Sequence, residues 1–465
     1  MKRFFQLLLA VTMMFLVGCE KDDYLTSEDA NIIIAGGANT ILFDTVFTNV
    51  GSVTHGYTIV NPNQQKVNLE SIRLYGGDQS PFSINVNGQS GTVFSNVDVL
   101  KNDSIYLFVK VQINPNNENL PFLVSDSVEI KYNMQVRKLY LTAYGKNAFF
   151  INGGNITKDT TWTDEKPIVL LKPIYVNSNA QLTINAGVNV YNNANAALVV
   201  NGSLVANGTV SKPVVFTNDR MDAPYSQMPG SWGGLVFNVG SKGNLSQTNI
   251  YNAYQGLLAL NGVNLTMNNS TIHNAYDFGL MGVNATIVGN NVQITQCGNN
   301  GTLGVGGSNV ILIAGNYQFN HATIVTYSNA YQNLRQPVFY ASNTLDGQTA
   351  PLNLTLNNSI VFSEGGMAEN SIVVNKGNDV LNANFNNVMY KATKAVENAS
   401  FNAESFTTTA PLFDSISTGR RYYNFRLREQ SPAVDKGSAS SVNRDIEGSV
   451  RPKGLKPDLG CYESY

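Results

Sequence analysis

Acidic side chains are scarce in the central part of the chain. Between Glu165 and Glu364 the sequence contains only four carboxylates, and only Asp219 and Asp222 lie close together, with Arg220 between them. Hydrolysis of a glycosidic bond normally uses two carboxyl groups that flank the bond. A calcium site needs several oxygen ligands, usually with carboxylates among them. Asp219 and Asp222 are therefore the one candidate acidic cluster, for catalysis or for calcium, and a solvated loop is the alternative interpretation.

Histidine and cysteine offer less chemistry. Two of the three histidines, His273 and His321, fall in the repetitive part of the chain, and two imidazoles without acidic partners make a poor zinc site. We interpret them as surface side chains near turns. Cys297 and Cys461 are far apart in sequence, so we expect two separate buried thiols rather than a disulfide or a nucleophile. The sequence otherwise predicts no cofactor, no metal site and no catalytic residue.

The elements that position these residues are strands and turns. Charged residues make up 13% of the chain, and 30 Lys and Arg nearly balance 32 Asp and Glu, so no nucleic-acid partner is indicated. Asparagine accounts for 62 of the 465 residues, which favours turns and disfavours helices. An all-helical protein is excluded, and so is a disordered chain, because aromatic residues reach 10%.

The N-terminus is typical of an export signal. Lys2 and Arg3 precede an apolar run over residues 4–17, which is too short to cross a bilayer as a helix. The run ends in Leu-Val-Gly-Cys, which resembles the bacterial lipobox. This resemblance implies a lipoprotein signal peptide over 1–18 and lipidation of Cys19, and several acyl chains would give stable membrane anchoring.

The residues after Cys19 carry a second resemblance. Lys21, Asp22 and Asp23 form a short, mostly acidic run that resembles the surface-export signal of Bacteroidota lipoproteins. The resemblance implies an outer-membrane location with the protein facing the cell exterior. Residues 19–40 are then predicted to be a lipidated tether.

Residues 41–147 predict a β-sandwich. Short apolar runs with period-2 patterning are separated by turns, as in an antiparallel sandwich. The segment resembles the Ig-like modules of bacterial surface proteins, without the paired cysteines of antibody domains. The predicted strands are Ile41–Phe43, Tyr57–Val60, Val67–Leu74, Phe82–Val86, Ile105–Ile113, Ser127–Tyr132 and Val136–Ala143.

Farther along, a large apolar residue is repeatedly followed, three positions later, by a small one. The pairs recur at intervals of 22 to 41 residues, which indicates a solenoid whose inward residues stack in columns. We expect the large members to fill the interior and the small members to lie where the chain turns. The pairs are Ile250/Ala253, Ile272/Ala275, Ile294/Cys297, Phe319/Ala322, Ile360/Ser363 and Met389/Ala392.

The order of motifs resembles a known class. The segments 181–190, 198–208, 212–217 and 230–237 succeed one another as in the opening coils of right-handed parallel β-helices of the pectin-lyase-like class. The resemblance implies an all-β chain with such a β-helix over 181–405, after the Ig-like β-sandwich and a connector and N-terminal cap over 148–180. It also implies that cleavage of polysaccharides must be considered.

The last segment, 406–465, resembles the C-terminal module of secreted β-helix proteins. Ser-Pro-Ala-x-Asp at 431–435, an Asp-x-x-Gly followed by Arg-Pro, and Asp-x-Gly-x-Tyr-Glu recur in that module. We expect it to cap the solenoid. Arg451 would form an ion network with Asp445, Asp458 and Glu463, and Cys461 would occupy a small buried space.

Three functions remain open. The sparse carboxylates favour a non-catalytic, lipid-anchored surface protein that acts as a binding or scaffold subunit, for example as an extracellular accessory of an outer-membrane β-barrel complex. The aromatic and asparagine content allows a glycan-binding adhesin instead. The fold resemblance alone supports a polysaccharide lyase or glycoside hydrolase, and fold does not imply function.

Overall fold

The computed structural model describes residues 23–464, except 35–38, 49–50, 53, 115–121 and 300–306. The chain divides between Asn147 and Ala148 into two compact units. In the described part of the chain, no helix is long and apolar enough to cross a membrane. The predicted lipidation and export residues Cys19, Lys21 and Asp22 lie outside the described residues, and Asp23 is exposed.

The first unit is a β-sandwich of two five-stranded sheets, ordered β1-β3-β8-β5-β6 and β2-β10-β9-β4-β7. A short 3₁₀ helix (Gly77–Gln79) connects β4 and β5. The strands are β1 (Ile33–Ile34), β2 (Thr40–Phe47), β3 (His55–Asn61), β4 (Val67–Leu74), β5 (Phe82–Val86), β6 (Gln89–Gly91), β7 (Val93–Val99), β8 (Asp103–Val111), β9 (Phe122–Tyr132) and β10 (Gln135–Lys146).

Alternating apolar residues of both sheets form one buried core, which is why apolar and polar residues alternate with period 2 in this part of the sequence.

Two expectations for this unit are wrong. β2 pairs in parallel with β10, so the sandwich is not wholly antiparallel. Residues 24–34, predicted to be part of a tether, pack on the sandwich because Ala30 and Ile32 are buried in its core and β1 pairs with β3.

The second unit is built almost entirely of short strands, with one 3₁₀ helix (Tyr225–Gln227). The strands are β11 (Phe149–Ile156), β12 (Thr160–Trp162), β13 (Ile168–Val176), β14 (Gln181–Asn185), β15 (Asn189–Asn192), β16 (Leu198–Val200), β17 (Ser203–Asn207), β18 (Val214–Asn218), β19 (Leu235–Phe237), β20 (Lys242–Ser246), β21 (Thr248–Tyr251), β22 (Gln255–Ala259), β23 (Asn264–Asn268), β24 (Thr271–His273), β25 (Phe278–Asn290), β26 (Gln293–Thr295), β27 (Val310–Asn320), β28 (Thr323–Tyr327), β29 (Phe339–Ser342), β30 (Thr344–Leu345), β31 (Gln348–Thr349), β32 (Leu352–Glu364), β33 (Ile372–Asn375), β34 (Leu381–Tyr390), β35 (Ser400–Phe401), β36 (Phe406–Thr407), β37 (Phe413–Ser417) and β38 (Tyr422–Leu427).

These strands stack into three parallel ladders, one strand per coil. Ladder A contains β14, β17, β20 and β23. Ladder B contains β15, β18, β21, β24, β26 and β28. Ladder C contains β16, β19 and β22. The longer strands bend from one ladder into the next, as β25 does from C to A. The predicted fold class, an all-β chain with a parallel β-helix after a β-sandwich, is confirmed.

The β-helix begins earlier than the sequence indicated. β11, β12 and β13 pair in parallel with strands that follow them, and β13 stacks on β11, so 148–180 forms the first coil and part of the second rather than a separate connector and cap. Trp162 of β12 is buried in the same continuous core as the later coils. The alternation that marks these strands is short and interrupted by Gly153 and Gly154, which hid the repeat in the sequence.

The predicted interior column is correct for its first three large residues and wrong for the later ones. Ile250, Ile272 and Ile294 stack on one another, and the next member is Ile324 rather than Phe319. Phe319 instead stacks on Gly289 in ladder A. The Phe-x-x-Ala pattern at 319–322 spans the turn after ladder A. It therefore has the spacing of the earlier pairs, but Phe319 does not lie in the same column as their large residues.

The turn from ladder A to ladder B, which we call the A–B turn, repeats one backbone conformation. Its central residue has a φ between 45° and 54° in six coils. Asparagine tolerates this left-handed conformation better than most residues, which explains part of the asparagine excess. The six residues are Gln247, Asn269, Asn291, His321, Asn358 and Asn387.

Candidate functional site

The loop that carries Asp219 and Asp222 does not present two free carboxylates. Asp222 forms a two-point ion pair with Arg220, at 2.6 and 2.7 Å, and Arg220 also lies 3.8 Å from the ring centre of Tyr225. Asp219 accepts a 3.0 Å hydrogen bond from Asn193, and burial raises the pKa of its carboxyl group. In the part of the chain that the structure describes, no three His, Cys, Asp or Glu residues lie close enough to hold a metal ion.

The C-terminal segment, residues 411–464, packs on the outer face of ladder B. Val325, Ile360 and Phe362 point outward from that ladder and share a buried cluster with Phe413 and Leu459 of the segment. The A–B turn adds polar contacts, because Asn291 donates to the carbonyl of Arg444 at 2.7 Å, and Asn358 and Asn387 donate likewise to Ser438 and Lys436.

The predicted ion network lies in this segment. Arg451 is buried and forms an ion pair of 3.3 Å with Glu463. Asp445 and Asp458 are buried nearby and add favourable charge to Arg451. Arg451 also contacts His321 of the A–B turn, so that histidine is buried rather than on the surface. The network fastens the segment to the coils.

A cleft opens where the hairpin of β37 and β38 lies over ladder B. Tyr251 and His273 occupy the same outward position on successive coils, and their rings are 6.3 Å apart, edge to face. Tyr423 of the hairpin contacts His273 from the other side, at 5.9 Å. Two cavities of about 260 and 370 Å³ share these three side chains as their common wall. We call the two cavities together the B-face cleft.

His273 is neutral in this setting. Its Nδ1 lies 2.9 Å from the hydroxyl of Thr295, the next residue in its column. Burial, and then the charge of Arg421, lower the pKa of His273 to about 4. The imidazole is therefore unprotonated near pH 7 and can accept a proton or a hydrogen bond. Burial raises the pKa of Tyr251 and Tyr423, so their phenols remain protonated and can donate.

Arg421 supplies the positive charge of the cleft. It lies in the turn before β38, with its Nη2 2.9 Å from Oδ1 of Asn274 and its guanidinium 4.4 Å from the ring centre of Tyr331. In the described residues it forms no ion pair with a carboxylate. Burial lowers the pKa of the guanidinium, which still remains charged at neutral pH. A half-buried cation without an anionic partner is unfavourable, and a bound anion would complete its coordination.

A chain of buried, hydrogen-bonded amides lies beneath the cleft, and two of its members, Asn252 and Asn274, line one of the cavities. Asn252 donates to Asn218 at 2.7 Å, Asn274 donates to Asn252, and Gln332 donates to Asn274. Asn252 and Asn274 also hold the backbone of the 3₁₀ turn, through Ser226 and Gln227. These bonds fix the position of Asn274, which is the hydrogen-bond partner of Arg421.

A match to one protein family agrees with the β-helix fold of this unit. Residues 154–273 match the family described as a pectate-lyase like beta helix domain. No curated protein matches the sequence. The chain is similar to the structure of pectate lyase Pel9A, at 15% identity and a TM-score of 0.34, over 69% of this chain and 88% of that chain. It is also similar to a family 123 glycoside hydrolase from Clostridium perfringens, at 12% identity and a TM-score of 0.17, over 24% of this chain and only 25% of that chain.

The sequence found few of the residues that form the cleft. The sequence pointed to His273, but as a surface side chain near a turn. Arg421 and Tyr423 were missed because they lie about 150 positions beyond His273 and return to it only through the hairpin. The run Arg-Arg-Tyr-Tyr at 420–423 was a usable signal, since paired cations beside paired aromatics are unusual in a chain with few charges.

Proposed function

We propose that the protein binds an acidic glycan in the B-face cleft without cleaving it. The observation that carries this proposal is Arg421, a half-buried guanidinium that has an amide and an aromatic ring as neighbours but no carboxylate in the described residues. A carboxylate or sulfate group on a sugar would accept hydrogen bonds from the guanidinium.

The other walls of the cleft fit a sugar as well as an anion. Tyr251 and Tyr423 offer ring faces for the C–H surface of a pyranose. The neutral imidazole of His273 and the phenols of Tyr251 and Tyr423 match hydroxyl groups, which both donate and accept. The test is binding of uronate and sulfated oligosaccharides, compared with neutral oligosaccharides of equal length, while products of cleavage are followed in the same samples. Failure of every acidic oligosaccharide to bind would reject the proposal.

A second candidate function is β-elimination, which the neutral state of His273 favours. The imidazole would take the proton from the carbon beside a uronate carboxylate held by Arg421. The released electron pair would form a C=C bond, the adjacent C–O bond would break, and the phenol of Tyr423 would protonate the leaving oxygen. Formation of unsaturated product, lost in His273→Ala, would establish this function in place of simple binding.

The anchoring proposed from the N-terminal sequence is compatible with such a role. A protein lipidated at Cys19 and exported by Lys21, Asp22 and Asp23 would present the cleft outside the cell. A neighbouring outer-membrane protein, such as a β-barrel complex, would then be its natural partner for passing on a captured glycan. Purification of the native lipoprotein from membranes, followed by identification of what accompanies it, tests this partner.

A further inference from the structure

We propose a second saccharide-binding site, specific for neutral sugars, between the C-terminal segment and the last coils of the β-helix. It goes beyond the function proposed above and uses none of the residues of the B-face cleft. A cleft of about 870 Å³ opens between the last coils of the β-helix and the segment 437–457. We call it the ladder-end cleft.

The coil wall of this cleft is the end of an asparagine ladder. Five asparagines, one per coil, lie at the end of ladder A just before the A–B turn. Each of the last four donates its side-chain amide to the asparagine of the preceding coil, at 2.8 or 2.9 Å. All four bonds run in the same direction, so the amide dipoles align and strengthen one another. The five residues are Asn268, Asn290, Asn320, Asn357 and Asn386.

The direction of the ladder decides what it can bind. Asn386 is the last member and donates to Asn357, so its own Oδ1 is the terminal acceptor. In the described part of the chain no donor reaches that oxygen, and Asn386 lines the cleft. An acceptor at the end of an aligned ladder is stronger than an isolated amide oxygen. The exposed carboxylate of Glu404 stands in the same lining and is a second acceptor.

The opposite wall carries the complementary chemistry. Lys456 is exposed and lines the cleft from the C-terminal segment, where its ammonium group is a donor. Leu455, which is 93% exposed, and Pro452, which is also exposed, add apolar surface beside it. A hydroxyl group both donates and accepts, so it satisfies both walls, and the C–H face of a sugar packs on leucine and proline. Glu404 and Lys456 balance each other in charge. Arg451 also lines the cleft but is paired with Glu463, so the lining favours a neutral saccharide.

A matched pair of variants tests this site. Asn386→Ser removes the terminal acceptor, and Asn382→Ser is the control because Asn382 ends a second, parallel ladder on Asn353 but does not line the cleft. The probes are cellohexaose, maltohexaose, mannohexaose and xylohexaose, with binding measured by calorimetry on the whole protein. Melting temperatures confirm that both variants fold.

We expect at least one probe to bind, and Asn386→Ser and Glu404→Ala each to weaken its affinity about tenfold, a loss near 1.4 kcal/mol. Asn382→Ser and Arg421→Gln should leave that affinity unchanged. The proposal is overturned if no neutral hexasaccharide binds, or if Asn386→Ser and Asn382→Ser behave alike. An effect of Arg421→Gln on the neutral sugar would also overturn it, because the ligand would then lie in the B-face cleft.

Discussion

The imidazole of His321, at the A–B turn of one coil, contacts the guanidinium of Arg451 in the C-terminal segment. Nδ1 of the ring faces Nη1 of the arginine, and Nε2 lies 3.0 Å from the hydroxyl of Ser440. Because a guanidinium only donates, Nδ1 accepts, and the neutral ring carries its proton on Nε2, which lies near Ser440 Oγ and also 3.1 Å from Nδ2 of Asn358. One buried histidine thus joins the repeating coils to the segment that covers them.

This contact predicts a loss of stability in acid. Burial, and then the charge of Arg451, lower the pKa of His321 to about 3, below its ordinary value of 6.5. Because the unfolded chain binds the proton more readily, stability falls as pH decreases from about 6.5 toward 3, by about 1.4 kcal/mol per pH unit for one such group. His321→Asn should flatten the dependence, since asparagine fills this turn in neighbouring coils. Denaturant melts at pH 7.5 and 5.0 measure it, and identical pH slopes for wild type and variant would refute the assignment.

Substitutions of Cys297 test how tightly the column of Ala253, Ala275 and Cys297 is packed. Cys297 follows Ala253 and Ala275 at the same position of earlier coils, it is fully buried, and its sulfur lies 3.1 Å from the point where Gly279 would carry a Cβ. Cys297→Ala should therefore change stability little, whereas Cys297→Leu should cost about 1–3 kcal/mol through overpacking. Thermal melts of the two variants compare these effects. A leucine variant as stable as wild type would show that the column has spare room.

Asp219 and Asp222 are predicted to be structural. Asp219→Asn should leave glycan binding unchanged and should not destabilise the protein near pH 7. The reason is that burial raises the pKa of Asp219 above its ordinary value of 3.8, so ionisation of this carboxyl opposes folding as the pH rises above that value. Asp222→Asn should disturb only the loop that the ion pair with Arg220 holds. Binding and turnover assays on pectin, alginate and host glycans, with and without calcium, check both variants. Turnover in wild type that either substitution abolishes would make this loop the active site.

The N-terminal residues predict where the protein resides. Cys19→Ala should prevent lipidation and release the protein from the membrane fraction, because a single export signal without acyl chains gives no stable anchor. Replacing Lys21, Asp22 and Asp23 with alanine should leave a lipidated protein that external protease cannot reach. Mass spectrometry of the N-terminus and protease digestion of whole cells distinguish these states. Surface exposure of the triple variant would show that the export signal lies elsewhere.

The sequence predicted the repeating parts of the molecule well because repetition is itself a signal. Ile250, Ile272 and Ile294 recur at a constant interval of 22 residues, and each must fill the same interior space. The predicted register is wrong at Phe319, because the coil lengthens there. Ile294 stacks on Ile324, and the interval between these two residues is 30 rather than 22. A pattern of large and small residues does not reveal an insertion that lengthens a coil outside its strands.

The B-face cleft was not predictable in the same way. His273 belongs to a repeat, but Arg421 lies in the hairpin that folds back over ladder B. A contact between residues so distant in sequence depends on the packing of the C-terminal segment, which no periodicity encodes. The same packing buried His321, which the sequence placed near the surface.

The central claim rests on the charge of Arg421, and one titration tests it directly. Wild type, Arg421→Gln and Arg421→Lys are titrated by calorimetry with galacturonate, alginate and sulfated chondroitin oligosaccharides, with melting temperatures to confirm folding. The account predicts that wild type binds at least one acidic oligosaccharide, that Arg421→Gln weakens its affinity about tenfold or more, and that Arg421→Lys lies between them, because lysine keeps the charge but not the two-point geometry. Equal affinity of wild type and Arg421→Gln for every acidic oligosaccharide that binds, or no binding by any of them, would contradict it.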